Sequence, residues 1–178
     1  MANKILLIGY GNPGRLDDGL GPALAEAVAL LAIPDVTVES DYQLSVEDAA
    51  TVAAHEVVVF ADAAVSGPEP FAFRPVQPEA EGRPGFSSHS LEPAAVLALA
   101  RDLFRARTRG YALGIRGYRF NEFGERLSDQ AEANLAAALR FLVPVLRDGR
   151  FEAAVRAAGG APPAETETRT CPCETEST

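Results

Sequence analysis

The stretch KILLIGYGNPGRLDDGLG, residues 4–21, decides how this chain is read. Its first six residues form an apolar run that stops at Gly9, the pattern of a short strand buried on both faces of a parallel sheet. Glycines and a proline then make a loop, Asp17 and Asp18 follow, and Leu24, Val28 and Leu31 recur at helical spacing. Asp18 stands where a helix N-cap is expected. Strand, loop and helix in this order bring the acidic pair to the carboxyl-terminal edge of a sheet, where open α/β folds gather their ligands.

Further along, residues 36–39 alternate as a second strand and residues 46–54 form a short alanine-rich helix. VVVFA at 57–61 is the clearest central strand, apolar up to Asp62. Residues 71–74 follow a turn marked by Gly67, Pro68 and Pro70, and so short a connection predicts an edge strand rather than a parallel crossover. Residues 75–88 read as a loop. Ser90 then caps a helix carrying Leu91, Val96, Leu99, Leu103 and Phe104. Residues 111–117 give another buried strand, and Ser128 caps a long helix with Leu135, Leu139 and Leu142 inward and a kink expected at Pro144. The alternation predicts a three-layer α/β sandwich, a mostly parallel twisted sheet of about five strands with helices on both faces.

A chain of 178 residues, 47% hydrophobic, suits one domain, expected over residues 1–160. Residues 161–178 are small, polar and acidic, the composition of a disordered tail. Cys171 and Cys173 both lie there and cannot staple a core. A start with one basic residue before a short apolar run is not a signal peptide, and no stretch reaches the roughly 18–20 apolar residues of a membrane span. A soluble, cytoplasmic monomer is therefore expected. The formal charge of −9 disfavours a nucleic-acid substrate.

Three places carry candidate chemistry: Asp17 and Asp18, Asp62 after the central strand, and His89 ahead of a helix. Two hard carboxylate oxygens and one imidazole, from Asp18, Asp62 and His89, make an open site for a divalent first-row metal. A helix amino terminus near His89 favours the neutral imidazole that can bind a metal. Singly, Asp18 also reads as a helix cap, Asp62 as a turn residue and His89 as a surface histidine; their shared placement at one sheet edge is the stronger signal. His55, between a helix and a strand, reads as a surface residue. Cys171 and Cys173 alone make a weak metal site. Gly9, Gly11 and Gly14 match the dinucleotide fingerprint G-x-G-x-x-G in form, but Asp17 and Asp18 at the helix start would repel a pyrophosphate.

The succession GYGNPGRLDDGLGPALAEAV, DYQLSVEDA, VVVFADAAVSG, FSSHSLEPAAVLAL and LGIRGYRFNEFGERLS resembles the maturation proteases of nickel-iron hydrogenases, in the family's order over residues 4 to about 145. The resemblance implies an endopeptidase that removes a C-terminal extension from the hydrogenase large-subunit precursor after nickel insertion. It places the family's metal-binding roles on Asp18, Asp62 and His89, with nickel carried by the precursor. Asp17 and Asp18 are the candidate catalytic carboxylates, Asp17 in a supporting role or as a solvated loop charge. Many members have glutamate where this chain has Asp18. The segment after the second strand, often Asp-Gly-Gly-Thr in the family, is DYQLSVE here and resembles a branch with a Gln-Leu signature. Two alternatives stay open: a non-catalytic nickel-binding chaperone, and a hydrolase like peptidyl-tRNA hydrolase, which shares the Gly-x-Gly-Asn-Pro-Gly opening but places a histidine shortly after it.

Overall fold

The structure is a computed structural model and describes residues 4–80 and 91–159. Five strands, β1 (Ile5–Tyr10), β2 (Val36–Asp41), β3 (Val57–Ala64), β4 (Phe71–Val76) and β5 (Arg109–Arg116), form one sheet in the order β2-β1-β3-β5-β4. All neighbours run parallel except β4, which lies antiparallel to β5 at the edge. The helices are α1 (Leu20–Ala29), α2 (Asp48–Ala53), α3 (Pro93–Phe104), α4 (Asp129–Asp148) and α5 (Phe151–Ala157).

Strand periodicity divides the core into two. Ile5, Leu7, Val57 and Val59 point to one face and pack with Leu24 and Val28 of α1, Leu142 of α4 and Phe151 of α5. Leu6, Ile8, Val58 and Phe60 point to the other and meet Val52 of α2 and Val96 and Leu97 of α3. This is why the central strands carry no alternation in sequence: both faces are apolar because both are covered. The expected three-layer α/β sandwich is the one observed.

Several local expectations change. Asp18 does not cap α1: Gly19 holds that position, and a 3₁₀ turn over Leu16–Gly19 precedes the helix. The helix expected to start at Ser90 begins at Pro93, with Glu92 as N-cap and proline in the first turn, where its missing N–H costs nothing; Ser90 lies outside the described residues. By contrast, Ser128 caps α4 as expected, accepting from the Ala131 N–H, and the helix runs through Pro144 to Asp148. Helix α5 was not foreseen. Its core-facing set is short, Phe151, Ala154 and Val155, too few positions for a helical period to stand out. Among the described residues no helix is long and apolar enough to cross a membrane.

Candidate functional site

Strand order makes β1 a switch point, because β2 lies on one side of it and β3 on the other. A crevice opens outside the carboxyl ends of strands at such a point. The β1–β3 register pairs Gly9 with Ala61, so Tyr10 and Asp62 each lie one residue past the last rung. Both belong to the strand face of Ile8 and Phe60. Strand β3 runs on to Ala64 against β5, pairing Asp62 with Gly114, so Asp62 sits inside the strand rather than after it.

From Tyr10 the chain turns through Gly11, whose φ of +137° lies in the region that favours glycine. A Cβ there would collide with the Asp18 carbonyl, so the absence of a side chain lets the acidic turn fold back over the end of β1. Asp18 Oδ2 then accepts the Asn12 N–H at 3.0 Å, closing the loop on itself. Helix α1 follows in close contact with the sheet, because Gly21 approaches it without a side chain: a Cβ there would lie 2.6 Å from the Ala61 carbonyl oxygen.

Asp18 and Asp62 line one cleft of about 300 Å³, together with Tyr10, Gly11, Leu91, Glu92 and residues 42–44. None of these lining residues is basic. A larger cavity exists at the opposite sheet edge, but the smaller cleft holds the convergent carboxylates and so is the candidate site. Burial of the Asp62 carboxyl, reinforced by the charges of Asp18 and Glu92, pushes its pKa up to about 6 against the pull of the Ala63 N–H, which donates to Oδ1 at 2.7 Å, and of the Tyr10 hydroxyl. Burial also raises the Tyr10 phenol well above its ordinary value, and the charges of Asp62 and Glu92 add to this. Carboxylates crowded in a cleft with no basic side chain among its described lining residues form a site that gains by taking up a cation.

The expected ligand set is brought together in part. Asp18 and Asp62 share the cleft; His89 lies outside the described residues, although Leu91, two positions later in sequence, lines it. Among the described residues no group of three His, Cys, Asp or Glu side chains is placed to hold a metal ion. Cys171 and Cys173 also lie outside the described residues. His55 sits at the other end of β3, its Nδ1 2.7 Å from the Thr51 carbonyl oxygen and its Nε2 3.1 Å from Thr37 Oγ1.

Asp17 requires a correction. It is neither a solvated loop charge nor a carboxylate of the cleft: it is fully buried and its oxygens are occupied by structure. Oδ2 accepts the Tyr118 and Arg119 N–H groups at 2.8 and 2.9 Å and the Ser128 hydroxyl at 2.7 Å, while Oδ1 accepts the Ser128 N–H at 2.7 Å. Burial works against the charge, but these four hydrogen bonds outweigh it and the pKa falls below the ordinary carboxylate value. Asp17 is an anchor that fixes the turn from which Asp18 projects. Sequence reading also passed over Tyr10 and Glu92. The signal for Tyr10 was its parity with Leu6 and Ile8; Glu92 had none beyond its place next to a helix-starting proline.

Solved structures of similar fold include a NiFe hydrogenase maturation protease, HycI, from Thermococcus kodakarensis, with 23% identity, a TM-score of 0.64, and 82% of this chain and 93% of that chain covered. The hydrogenase maturating endopeptidase HybD from E. coli has 22% identity and a TM-score of 0.61, covering 83% and 94%. A hydrogenase 2 maturation peptidase from a Thaumarchaeota archaeon has 18% identity and a TM-score of 0.59, covering 80% and 97%. The chain thus has the α/β fold seen in hydrogenase maturation proteases, as the motif resemblance led one to expect. Its sequence matches no protein-family model, and no curated protein sequence matches it.

Proposed function

We propose that this chain is an endopeptidase that trims the C-terminal extension of a nickel-iron hydrogenase large-subunit precursor and reads the nickel carried by that precursor through Asp18, Asp62 and His89. The observation that carries the reading is the convergence of Asp18 and Asp62 in one acidic cleft at the switch point of a fold shared with named maturation proteases. Three carboxylates, Asp18, Asp62 and Glu92, with no basic residue among the described lining, suit a cation and repel a polyanion. That argues against a tRNA substrate despite the shared Gly-x-Gly-Asn-Pro-Gly opening.

Nickel is here part of the substrate. Held by the precursor and bridged to carboxylate oxygens of the cleft, it would position the scissile peptide and polarise its carbonyl. Water adds to that carbonyl carbon, its proton passes to a carboxylate, and the leaving amine takes the proton as the C–N bond breaks. With its pKa raised to about 6 by burial, Asp62 is largely ionised at neutral pH before the precursor binds, the form that can take nickel. On this reading the protein acts as a cytoplasmic monomer.

The test is incubation of nickel-loaded and nickel-free precursor with the purified protein, followed by mass spectrometry of the large subunit. Loss of the extension only from the loaded form is expected. Trimming of both forms removes the nickel-reading step; stable binding of the loaded form without trimming makes the chain a nickel-binding chaperone instead.

A further inference from the structure

The largest cavity among those described lies away from the acidic cleft, at the amino-terminal edge of the sheet, between the start of β5, the end of β4, the carboxyl end of α3 and helix α5. It encloses about 960 Å³. Its apolar lining includes Val76, Leu97 and Val155, and Arg105, Arg107 and Arg156 stand around it with their side chains exposed to solvent. Arg109 is committed to Glu152 at 2.6 Å, but none of these three arginines forms an ion pair among the described residues. An apolar pocket beside exposed guanidinium groups that form no ion pair among the described residues, on a protein of net charge −9, suits an acidic peptide with small apolar residues.

The chain contains such a segment. Residues 160–178, GAPPAETETRTCPCETEST, carry Glu165, Glu167, Glu174 and Glu176 against the single Arg169, and the acids follow directly on the apolar run APPA. The segment continues from α5, whose Val155 and Arg156 already line the cavity. We infer that the cavity is a docking site for the chain's own acidic segment 160–178, with APPA against the apolar lining and Glu165 and Glu167 against Arg105, Arg107 and Arg156. The three-residue link from Arg156 to Gly160 keeps the local concentration of the segment high, so contacts too weak to hold a free peptide suffice to hold a tethered one. Screening by salt follows from the charge pairing. The inference concerns the sheet edge opposite the acidic cleft and does not rest on the proposed peptidase activity.

The two cysteines of the chain, Cys171 and Cys173, both fall in this segment and provide a handle. In the full-length protein with Cys171→Ser, a nitroxide attached at Cys173 is expected to broaden the amide resonances of Leu97, Ala106, Gly110 and Val155 and to leave those of Gly11 and Asp62 sharp. Joint replacement Arg105→Glu, Arg107→Glu and Arg156→Glu, all at exposed positions, should abolish the broadening while preserving the rest of the spectrum, and 0.5 M salt should weaken it. Sharp cavity resonances, broadening spread evenly over the molecule, or broadening unchanged in the triple variant would each overturn the assignment. Mixing isotope-labelled protein lacking the nitroxide with unlabelled nitroxide-bearing protein separates the sources: broadening in the mixture means that a second copy supplies the segment, and the intramolecular site is then wrong.

Discussion

Asp17 and Ser128, 111 positions apart in the chain, are joined twice: the Ser128 N–H donates to Asp17 Oδ1 and the Ser128 hydroxyl to Oδ2, each at 2.7 Å. The same serine oxygen accepts the Ala131 N–H, so one buried carboxylate organises both the turn after β1 and the amino terminus of α4. With the Tyr118 and Arg119 N–H groups on Oδ2 as well, Asp17 ties the end of β5 to the same point.

Replacing Asp17 by alanine strands four donors in a buried site, and a loss of about 2–4 kcal/mol in urea unfolding is expected. Because the folded-state pKa lies below the unfolded value, this stabilisation is full above about pH 4 and fades as pH falls through the folded value. The gap between wild type and Asp17→Ala should therefore narrow in acid. A gap independent of pH would mean that the carboxylate is not the anchor.

Asp62→Asn should do the opposite for stability while stopping nickel-dependent processing. Asparagine keeps an oxygen for the Ala63 N–H but carries no buried charge. Burial raises the folded pKa to about 6, so the wild-type protein loses stability as pH rises from the unfolded value near 4 through the folded one. The variant should match wild type below about pH 4 and exceed it by about 1 kcal/mol above pH 6, a modest figure because the carboxyl is only half-buried. Thermal melts across this range, paired with the processing assay, check both parts.

Gly21→Ala tests whether close packing of α1 sets the cleft. Its Cβ would meet the Ala61 carbonyl oxygen at 2.6 Å and the Tyr10 nitrogen at 2.8 Å, and both are backbone atoms that can yield only by displacement of the helix. Overpacking of this kind costs about 1–3 kcal/mol. Processing should fall at least tenfold in protein that is still folded by circular dichroism, since α1 carries the Asp18 turn at its amino end. Unchanged processing would show that the spacing of Asp18 and Asp62 tolerates the shift.

His89→Ala should leave the melting temperature within a degree or two of wild type and remove processing of the nickel-loaded precursor. Deletion of residues 161–178 should leave processing intact, because the acidic cleft and the sheet edge to which that segment is assigned lie at opposite ends of the strands. Wild-type processing by His89→Ala would remove this histidine from the proposed ligand set.

The central strands were legible because they are short and apolar on both faces; β3 announces itself in VVVFA, β2 shows in its alternation, and β4 is marked as an edge by its short connection. The shared placement of Asp18 and Asp62 at one edge of the sheet was legible because a carboxylate where an apolar strand run stops is carried to that edge, whatever the neighbouring strands turn out to be. Asp17 was misread, since adjacent acidic residues in one turn look alike in sequence. Their opposite fates depend on Tyr118, Arg119 and Ser128, all about a hundred positions away.

By itself, then, the sequence determined most of the element types, the layered α/β class and the placement of Asp18 and Asp62 at one sheet edge, because hydrophobic period and turn chemistry act within a dozen residues. Tertiary structure alone decided that Asp17 is an anchor, that Tyr10 and Glu92 share the cleft with Asp62, and that arginines from α3, α5 and the start of β5 surround one cavity. Burial, desolvation and hydrogen bonding are set by whichever groups packing brings into contact, and that contact has no signature in local spacing.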